Sequence, residues 1–424
     1  MGVPRGDTRT RRLWLAYLVG AFGLAMTAQV AFLVPLRARE LGAGFDLIGL
    51  IVSAGALAAA LTSIPCGAII DRLGPKRSFV VGAIATGLVS VAFAMTSSVW
   101  VFLLLQPLHG VARNLGWVAS QTYITAAAVD ADERPRLTGR FAFFGNVGKM
   151  TGPLLVGGAA SLVGFRWALL VPAVYALLFA TIGAGLRETQ PGGASAAAKK
   201  RGTGLRAAAG LTRIPGIQVA LVLTSARLWI STIFSTFLPV FLVEQAVDPA
   251  VAGVVMATAG FVAACMAPTA GGWAQRMTPQ WATIAGLGCG AVGLLIAPAS
   301  TAMPWVFLTP ALIGVAIGLS LPLLISIVTT AAPDDCRGLA LGLRGTVNQG
   351  ASTAAPVVVG PLMSAVGLTL GFLAGGGIGL ALLGIAALRH GRPARTPSGA
   401  ETGEASDAAP LPPGQGRVTR TPGR

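Results

Sequence analysis

Long apolar runs separated by short polar stretches make up almost the whole chain. The first run extends from Leu13 to Leu36 without a charged residue, and eleven more follow. A helix needs about 20 residues to cross the hydrocarbon core of a bilayer, whereas a barrel strand alternates in polarity over about ten residues. The pattern therefore predicts an all-α membrane protein with twelve transmembrane helices, each satisfying its own backbone hydrogen bonds.

The predicted spans cover approximately residues 13–36, 46–70, 78–96, 100–128, 141–163, 166–186, 216–242, 250–275, 281–300, 304–332, 340–365 and 368–388. The predicted organisation is a cytoplasmic N-terminal arm (1–12), an N-terminal six-helix half (13–186), a cytoplasmic central loop (187–215), a C-terminal six-helix half (216–388) and a disordered cytoplasmic tail (389–424). The loop is rich in Gly, Ala and cations and the tail in Pro, Gly and Ser, compositions typical of flexible polar segments.

The positive charges lie mainly on one side of these predicted spans. Hydrophobic residues make up 54% of the chain, and the formal net charge is +16. With a cytoplasmic amino terminus, 25 of the 31 Lys and Arg residues fall on the cytoplasmic side. This asymmetry is typical of inner-membrane proteins, and it predicts that both termini are cytoplasmic. It also explains the basic charge without a nucleic-acid partner, because the sequence predicts no soluble domain that would recognise nucleic acid.

An internal repeat divides the chain into two similar halves. The segment WVFLLLQPLHGV begins at Trp100 and WVFLTPALIGV begins at Trp305. At an offset of 204 residues Gly67 also coincides with Gly271, and Arg72 with Arg276. Six spans return the chain to its starting side, so the halves are predicted to share one orientation and to be related by a pseudo-twofold axis along the membrane normal.

The turn between the second and third spans carries a specific charged motif. The stretch GAIIDRLGPKR resembles the signature of the major facilitator superfamily, and the matching positions are Gly67, Asp71, Arg72, Gly74, Lys76 and Arg77. The resemblance implies a twelve-helix transporter fold in which this cluster latches one conformation. Gly67 is expected to let a neighbouring helix approach closely, and Asp71 to pair with cations or with a helix amino terminus. The second half has Gln275 in place of the acid, so its latch is expected to be weaker.

A glycine-rich stretch marks the fifth span. The sequence GNVGKMTGPLLVGG resembles the helix-5 signature of antiporters in the same family, on Gly148, Gly152, Pro153 and Gly157. The resemblance implies antiport. From the residues alone, the stretch predicts a small-residue face for close helix contact and a bend at the proline. In the fourth span, Gln106 stands where the family motif has an arginine.

Three cations fall near the middle of predicted spans: Arg113, Lys149 and Arg227. Each costs about 2.5 to 3.5 kcal/mol on insertion scales if it faces lipid, so all three are expected to face protein or a watery cavity. Polar residues at helical spacing accompany them, and the predicted cavity set is Gln29, His109, Arg113, Asn146, Lys149, Arg227, Ser231 and Asn348. The alternative for any single member is a structural hydrogen bond between helices.

The sequence favours transport over catalysis. Two histidines and four scattered cysteines show no metal-ligand spacing, and no phosphate-binding GxxxxGK[ST] motif occurs, so neither an enzyme, a metal nor a cofactor is expected. We expect a monomeric secondary transporter that moves a small organic molecule by alternating access, through proton-coupled efflux, with Lys149 and then His109 as the proton-linked groups. Alternatives are an importer of an organic anion, favoured by the buried cations, and a membrane receptor or lipid-handling protein that does not transport.

Overall fold

The computed structural model describes residues 5–126, 133–186, 209–299, 302, 305–333 and 336–390. Almost all of them are helical, in α1 (Arg5–Glu40), α2 (Phe45–Leu73), α3 (Pro75–Met95), α4 (Val99–Ala126), α5 (Glu133–Ala168), α6 (Leu170–Ala184), α7 (Pro215–Glu244), α8 (Pro249–Met266), α9 (Ala270–Arg276), α10 (Pro279–Ile296), α11 (Leu308–Ala331) and α12 (Arg337–His390). Short 3-10 turns at Ala267–Thr269, Ala297–Ala299 and Trp305–Phe307 adjoin α8, α10 and α11.

These helices match the twelve predicted spans. The helix α12 consists of two helices that meet at Gly367 and so carries the last two spans, while α8 and α9 together carry the eighth. By length and apolarity alone, eight helices of the described chain can cross a membrane, with α12 counted once, and the pair Phe143–Ala168 and Leu170–Ala184, bent by 89°, adds a ninth. Helix α4 is not among these helices, and it carries the polar residues Gln106, His109 and Arg113.

Glycines and prolines determine where the helices begin and turn. Gly74 has φ 82° and ψ 155°, a conformation that favours glycine, and it joins α2 directly to α3, whose first residue is Pro75. Gly164 in α5 (φ 78°) and Gly367 in α12 (φ 85°) break their helices at positions 203 residues apart. The repeat found in the sequence is therefore also present in the backbone.

The bundle has two ends that differ in how the halves contact each other. We call the end at which α1 begins the near end and the end at which it finishes the far end. At the far end, Gly49 of α2 contacts Gly360 of α12, and Gly253 of α8 contacts Gly157 of α5. An added Cβ at Gly157 would lie 2.6 Å from the carbonyl oxygen of Pro249, so only glycine permits this approach.

Polar contacts join the same helices at the far end. Ser161 donates a hydrogen bond to Asp248 at 2.9 Å, and Ser364, 203 residues later in the repeat, donates to Asp46 at 3.0 Å. The ends of α1 and α7 meet through an ion pair of 2.7 Å between the Arg39 Nε and the Glu244 Oε1. These side-chain hydrogen bonds and the ion pair add to the glycine contacts that close the far end.

The near end is open by comparison. A cavity of about 750 Å³ separates α2 from α12, and Ser63, Ile64 and Gly345 are among its lining residues. Apolar packing follows the same division: one buried cluster includes side chains of both halves, such as Phe32 and Phe237. Two smaller clusters each belong to a single half. Among the described residues, the two halves thus share a buried apolar core only toward the far end.

Parts of the predicted organisation lie outside the described residues. These are the first four residues of the N-terminal arm, positions 187–208 of the central loop and the tail from 391 onward. Within the predicted arm, α1 already begins at Arg5, so residues 5–12 continue the first span as helix.

Candidate functional site

Two cavities lie between the halves at the middle of the bundle, and Thr27 and Ala31 of α1 line both of them. The first, which we call the Lys149 cavity, has a volume of about 200 Å³ and is bounded by α1, α5, α7, α8 and α11. The second, which we call the His109 cavity, has a volume of about 250 Å³ and is bounded by α1, α2, α4, α7 and α12. Both halves therefore contribute to each cavity.

The Lys149 cavity combines one cation with mostly apolar walls. Lys149 and Asn146 project from successive turns of α5, as their helical spacing predicts, and Ser231 of α7 also lines the cavity. Phe32 and Phe234 supply aromatic surface. The described lining residues include no acid that could neutralise Lys149.

The His109 cavity is more polar. Gln106, His109 and Arg113 lie three and four residues apart on α4 and face it together. A hydroxyl and an amide come from α12, through Ser352 and Gln349. The Arg113 guanidinium donates a hydrogen bond of 3.3 Å to the Thr27 hydroxyl, which ties the charge to α1. The predicted stripe on α4 thus lies at a cavity between the halves.

Three predicted cavity residues lie elsewhere. Gln29 is fully buried in α1 and lines neither cavity. Arg227 donates a hydrogen bond of 3.0 Å from its Nε to the Ser320 hydroxyl of α11, close enough to Lys149 for their charges to interact. Asn348 is half-buried on α12 and also lines neither cavity, although its neighbour Gln349 lines the His109 cavity. Gln29 and Asn348 therefore do not join the site in this conformation.

One cation close to the site was missed by the sequence reasoning. Arg344 of α12 is half-buried, and its charge interacts with that of Arg227. Its buried Nε has no hydrogen-bond partner among the described residues. The sequence places Arg344, Asn348 and Ser352 at spacings of four, on one face of the predicted eleventh span, and this pattern would have identified it.

The predicted latch lies at the near end. Asp71 and Arg72 are exposed in the last turn of α2, and Gly74 forms the turn into α3. A Cβ added at Gly67 would meet nothing within 4 Å, and the same holds for Gly271 in the second half. The expected close helix contact at Gly67 is therefore absent in this conformation, because the near-end part of α2 faces open space.

The glycine motif of α5 does make close contacts. A Cβ at Gly148 would meet the carbonyl oxygen of Ala21, and one at Gly152 would lie 2.7 Å from the carbonyl oxygen of Ala25. Gly157 packs against α8 at the far end, as described above. The small-residue face predicted from the sequence therefore brings α5 against α1 on one side and α8 on the other.

Comparisons with known proteins agree with this architecture. The chain is 27% identical over 143 residues to the uncharacterized MFS-type transporter YqjV of Bacillus subtilis strain 168, matching 34% of this chain and 35% of that protein. It is 28% identical over 148 residues to the multidrug resistance protein MdtG of Salmonella arizonae, matching 33% of this chain and 35% of that protein. The chain thus spans about a third of the length of these relatives.

Solved structures resemble the whole bundle. The nucleoside transporter NupG matches with a TM-score of 0.72 at 14% identity, covering 91% of this chain and 99% of that chain. A bacterial homologue of the human lysosomal transporter Spinster, described as inward-facing and unoccupied, matches with a TM-score of 0.72 at 15% identity, covering 92% and 97%. The family model of the Major Facilitator Superfamily matches residues 13–356 and 220–422. The chain therefore belongs to the major facilitator superfamily of membrane transporters, and not to a family of enzymes.

Proposed function

We propose that this transporter exports a small organic molecule across the cell inner membrane in exchange for protons, by alternating access. The observation that carries the proposal is the pair of central cavities lined by both halves of a bundle that is closed at the far end and open at the near end. A rocking movement of the halves would open these cavities to the other side. The resemblance of part of the chain to MdtG, named a multidrug resistance protein, supports export.

The proposed orientation places the near end in the cytoplasm. It rests on the 25 of 31 Lys and Arg residues that fall on this side of the predicted spans. In this orientation the cavities of the described conformation lie on the cytoplasmic side of the closed end, where an exporter collects its substrate. Cysteines introduced at Ala194 and Gly403 should react with a membrane-impermeant thiol reagent only after the cytoplasmic face is opened. Labelling in intact cells would reverse the assignment.

Proton coupling is assigned to Lys149, with His109 as the second candidate. Lys149 lines a central cavity and carries a charge near that of Arg227. A bound cationic substrate and a bound proton would disfavour each other there, whereas an anion would favour the proton. Substrate affinity is measured against pH in the wild type and in Lys149→Met. A pH dependence that survives the substitution unchanged removes Lys149 from the coupling mechanism.

The test of export is a flux measurement on purified protein in liposomes. A panel of anionic, cationic and neutral organic compounds is followed with and without a pH gradient across the membrane. Export predicts movement that is accelerated when protons flow in the opposite direction. Binding without movement would instead identify a receptor or lipid-handling protein, the alternative of another class.

A second candidate function is the import of an organic anion. It is favoured by four cations, Arg113, Lys149, Arg227 and Arg344, that lie at or near the two cavities. The same liposomes distinguish the candidates, because an importer accumulates anions when protons move in the same direction. Movement of anions with the proton gradient rather than against it would replace export by import.

A further inference from the structure

The two central cavities occupy equivalent places in the repeat. Gly55 and Ala56 of α2 line the His109 cavity, and Ala259 and Gly260, 204 residues later in α8, line the Lys149 cavity. Asn146 of α5 and Gln349 of α12 are related in the same way at an offset of 203, one in each cavity. Several lining positions of one cavity therefore have counterparts in the other, and the counterparts that differ in chemistry distinguish the two cavities.

Two pairs of repeat-related positions differ most in charge between the cavities. Lys149 in one cavity corresponds to Ser352 in the other, and Arg113 corresponds to Ile317. The Lys149 cavity consequently has an apolar wall, to which Phe234 and Met256 also contribute, opposite a single ammonium group. The His109 cavity instead has polar groups on both α4 and α12.

Two buried groups of the His109 cavity have no hydrogen-bond partner among the described residues: the Gln106 Oε1 and the His109 Nε2. Their residues are only 6% and 3% exposed. Leaving a buried polar atom unpaired costs about 1 to 3 kcal/mol, so a ligand or water that reached these two atoms would stabilise the site. Arg113 donates one hydrogen bond to Thr27 and keeps its other N–H groups for a ligand, while the amide oxygen and the imidazole nitrogen have no partner at all among the described residues.

Among the described residues that line the Lys149 cavity, Lys149 alone is charged. The charge of Lys149 interacts with that of Arg227, and Arg227 in turn interacts with Arg344. The lining residues within the described chain contain no carboxylate. In a site of low dielectric, clustered cations without a counter-charge gain most from a bound anion.

Neither cavity alone has the volume of a typical ligand pocket. At about 200 and 250 Å³, each is smaller than the roughly 300 to 1,000 Å³ of typical ligand pockets. Their summed volume reaches that range, and Thr27 and Ala31 line both cavities.

We propose that a single substrate spans both cavities and that it is an organic anion with an apolar body and a neutral polar end. Its anionic group binds Lys149, its body packs against Phe32 and Phe234, and a hydroxyl or amide group at its other end binds Gln106 and His109. This assignment rests on the second candidate function, the import of an organic anion, because it names the substrate class of the same site and a bound anion favours a proton on Lys149. It also gives the substrate a fixed orientation across the pseudo-twofold axis.

The test is equilibrium binding to the purified full chain by calorimetry, with three matched probes. These are para-hydroxyphenylpropionate, its neutral amide, and phenylpropionate, which lacks the hydroxyl group. The wild type should bind the hydroxy acid at least about tenfold more tightly than the amide, as expected for a charge-assisted contact. It should bind the hydroxy acid about threefold to tenfold more tightly than phenylpropionate, as expected for a neutral hydrogen bond.

The variants separate the two ends of the ligand. Lys149→Gln should abolish the preference for acid over amide and keep the preference for the hydroxyl group. Gln106→Leu should abolish the preference for the hydroxyl group and keep the preference for acid over amide. Lys149→Arg should retain the acid preference, and Arg140→Gln, an exposed cation on the same helix, should change neither. Unchanged gel-filtration profiles verify that each variant folds.

Several results would overturn the assignment. They are a wild type that binds none of the probes, one that does not prefer acid to amide, and variants that lose both preferences together. The flux measurement remains a separate test. The predicted binding pattern without proton-driven movement rejects proton-coupled transport only, and proton-driven movement without this pattern rejects the two-ended anion only.

Discussion

The far and near ends of the same helix pairs differ in how tightly they are closed. At the far end, Gly49 and Gly360 bring α2 against α12, with a Cβ at Gly360 only 2.5 Å from the carbonyl oxygen of Phe45. Toward the near end, α2 and α12 are separated by the cavity of about 750 Å³, and Cβ atoms added at Gly67 or Gly345 would meet nothing within 4 Å. Small residues thus line both ends, but only one set is in contact.

The difference indicates what the unpacked small residues are for. A glycine without a close neighbour lowers helix stability by about 1 kcal/mol relative to alanine and contributes no contact in return. Gly342, Gly345 and Gly350 lie on α12 in this state, all with open space beside them. Their placement fits a second conformation in which the near end closes and the far end opens. The two ends would then exchange roles as the proposed transport cycle proceeds.

The largest effect is expected when a residue at the closed far end is replaced by a larger one. Gly49→Leu should prevent far-end closure, because overpacking such a contact costs about 1 to 3 kcal/mol, and transport should fall at least about tenfold. In a variant lacking the four native cysteines and carrying Ser235→Cys in the Lys149 cavity, an impermeant thiol reagent added at the far end should now react. Gly384→Leu, at an exposed glycine with open space around it, is the matched control. Equal flux in both variants would contradict the role of this contact.

The complementary change enlarges a residue at the open end. Gly345→Leu should leave the described conformation intact, because nothing lies within 4 Å of the added Cβ, and should block closure of the near end. We expect flux to fall about tenfold while Ser235→Cys stays protected from the far-end reagent. Far-end labelling as strong as in Gly49→Leu would show that the open space has no role in the cycle.

A smaller effect is expected at the near-end latch. Asp71→Asn removes a charge from the exposed last turn of α2, and interactions of such a charge with helix ends or cations contribute about 0.3 to 1 kcal/mol. Transport should fall by up to about fivefold, whereas Gln275→Asn in α9 should leave it unchanged. Small and equal effects in the two variants would make this turn a topological signal only.

The smallest effect is expected at the far-end ion pair. Arg39 and Glu244 are partly exposed, and such pairs contribute about 0.2 to 1 kcal/mol. Arg39→Gln should shift the population toward the far-end-open state by about twofold to threefold, seen as faster labelling of Ser235→Cys, and high salt should remove the difference. The double exchange Arg39→Glu with Glu244→Arg should restore the wild-type rate. A double variant as perturbed as the single one would exclude the pair as a contact that favours closure.

Much of the fold follows from the sequence because each span is defined locally. An apolar run of about 20 residues predicts a spanning helix whatever its neighbours, and all twelve runs coincide with helical segments. The repeat predicted from Trp100 and Trp305 extends in the structure to the two positive-φ glycines at 164 and 367. The relative position of the halves was not predictable in this way, because it depends on contacts between residues about 100 to 300 positions apart.

The site was partly predictable because helical spacing and charge are also local properties of the sequence. Helical spacing on α4 identified His109 and Arg113 on one face, and the charge of Lys149 pointed to a cavity. Gln29 has the same polar character but faces the interior of the bundle, since the rotation of α1 is set by its neighbours. Gly67 was expected in a contact that the described conformation does not contain, and a single sequence carries no information on which state is observed.

The shared core has a consequence for how the protein loses its structure. Because one buried apolar cluster includes both halves, shortening Phe237 should weaken the two halves together in a single cooperative unfolding step. Shortening Phe79, which belongs to a cluster of the first half only, should loosen that half first. The rate of amide hydrogen exchange would then depend on the distance of a residue from the closed end as well as on the half to which it belongs. The helix ends near the open side should exchange through local opening, and the far-end segments only through global unfolding.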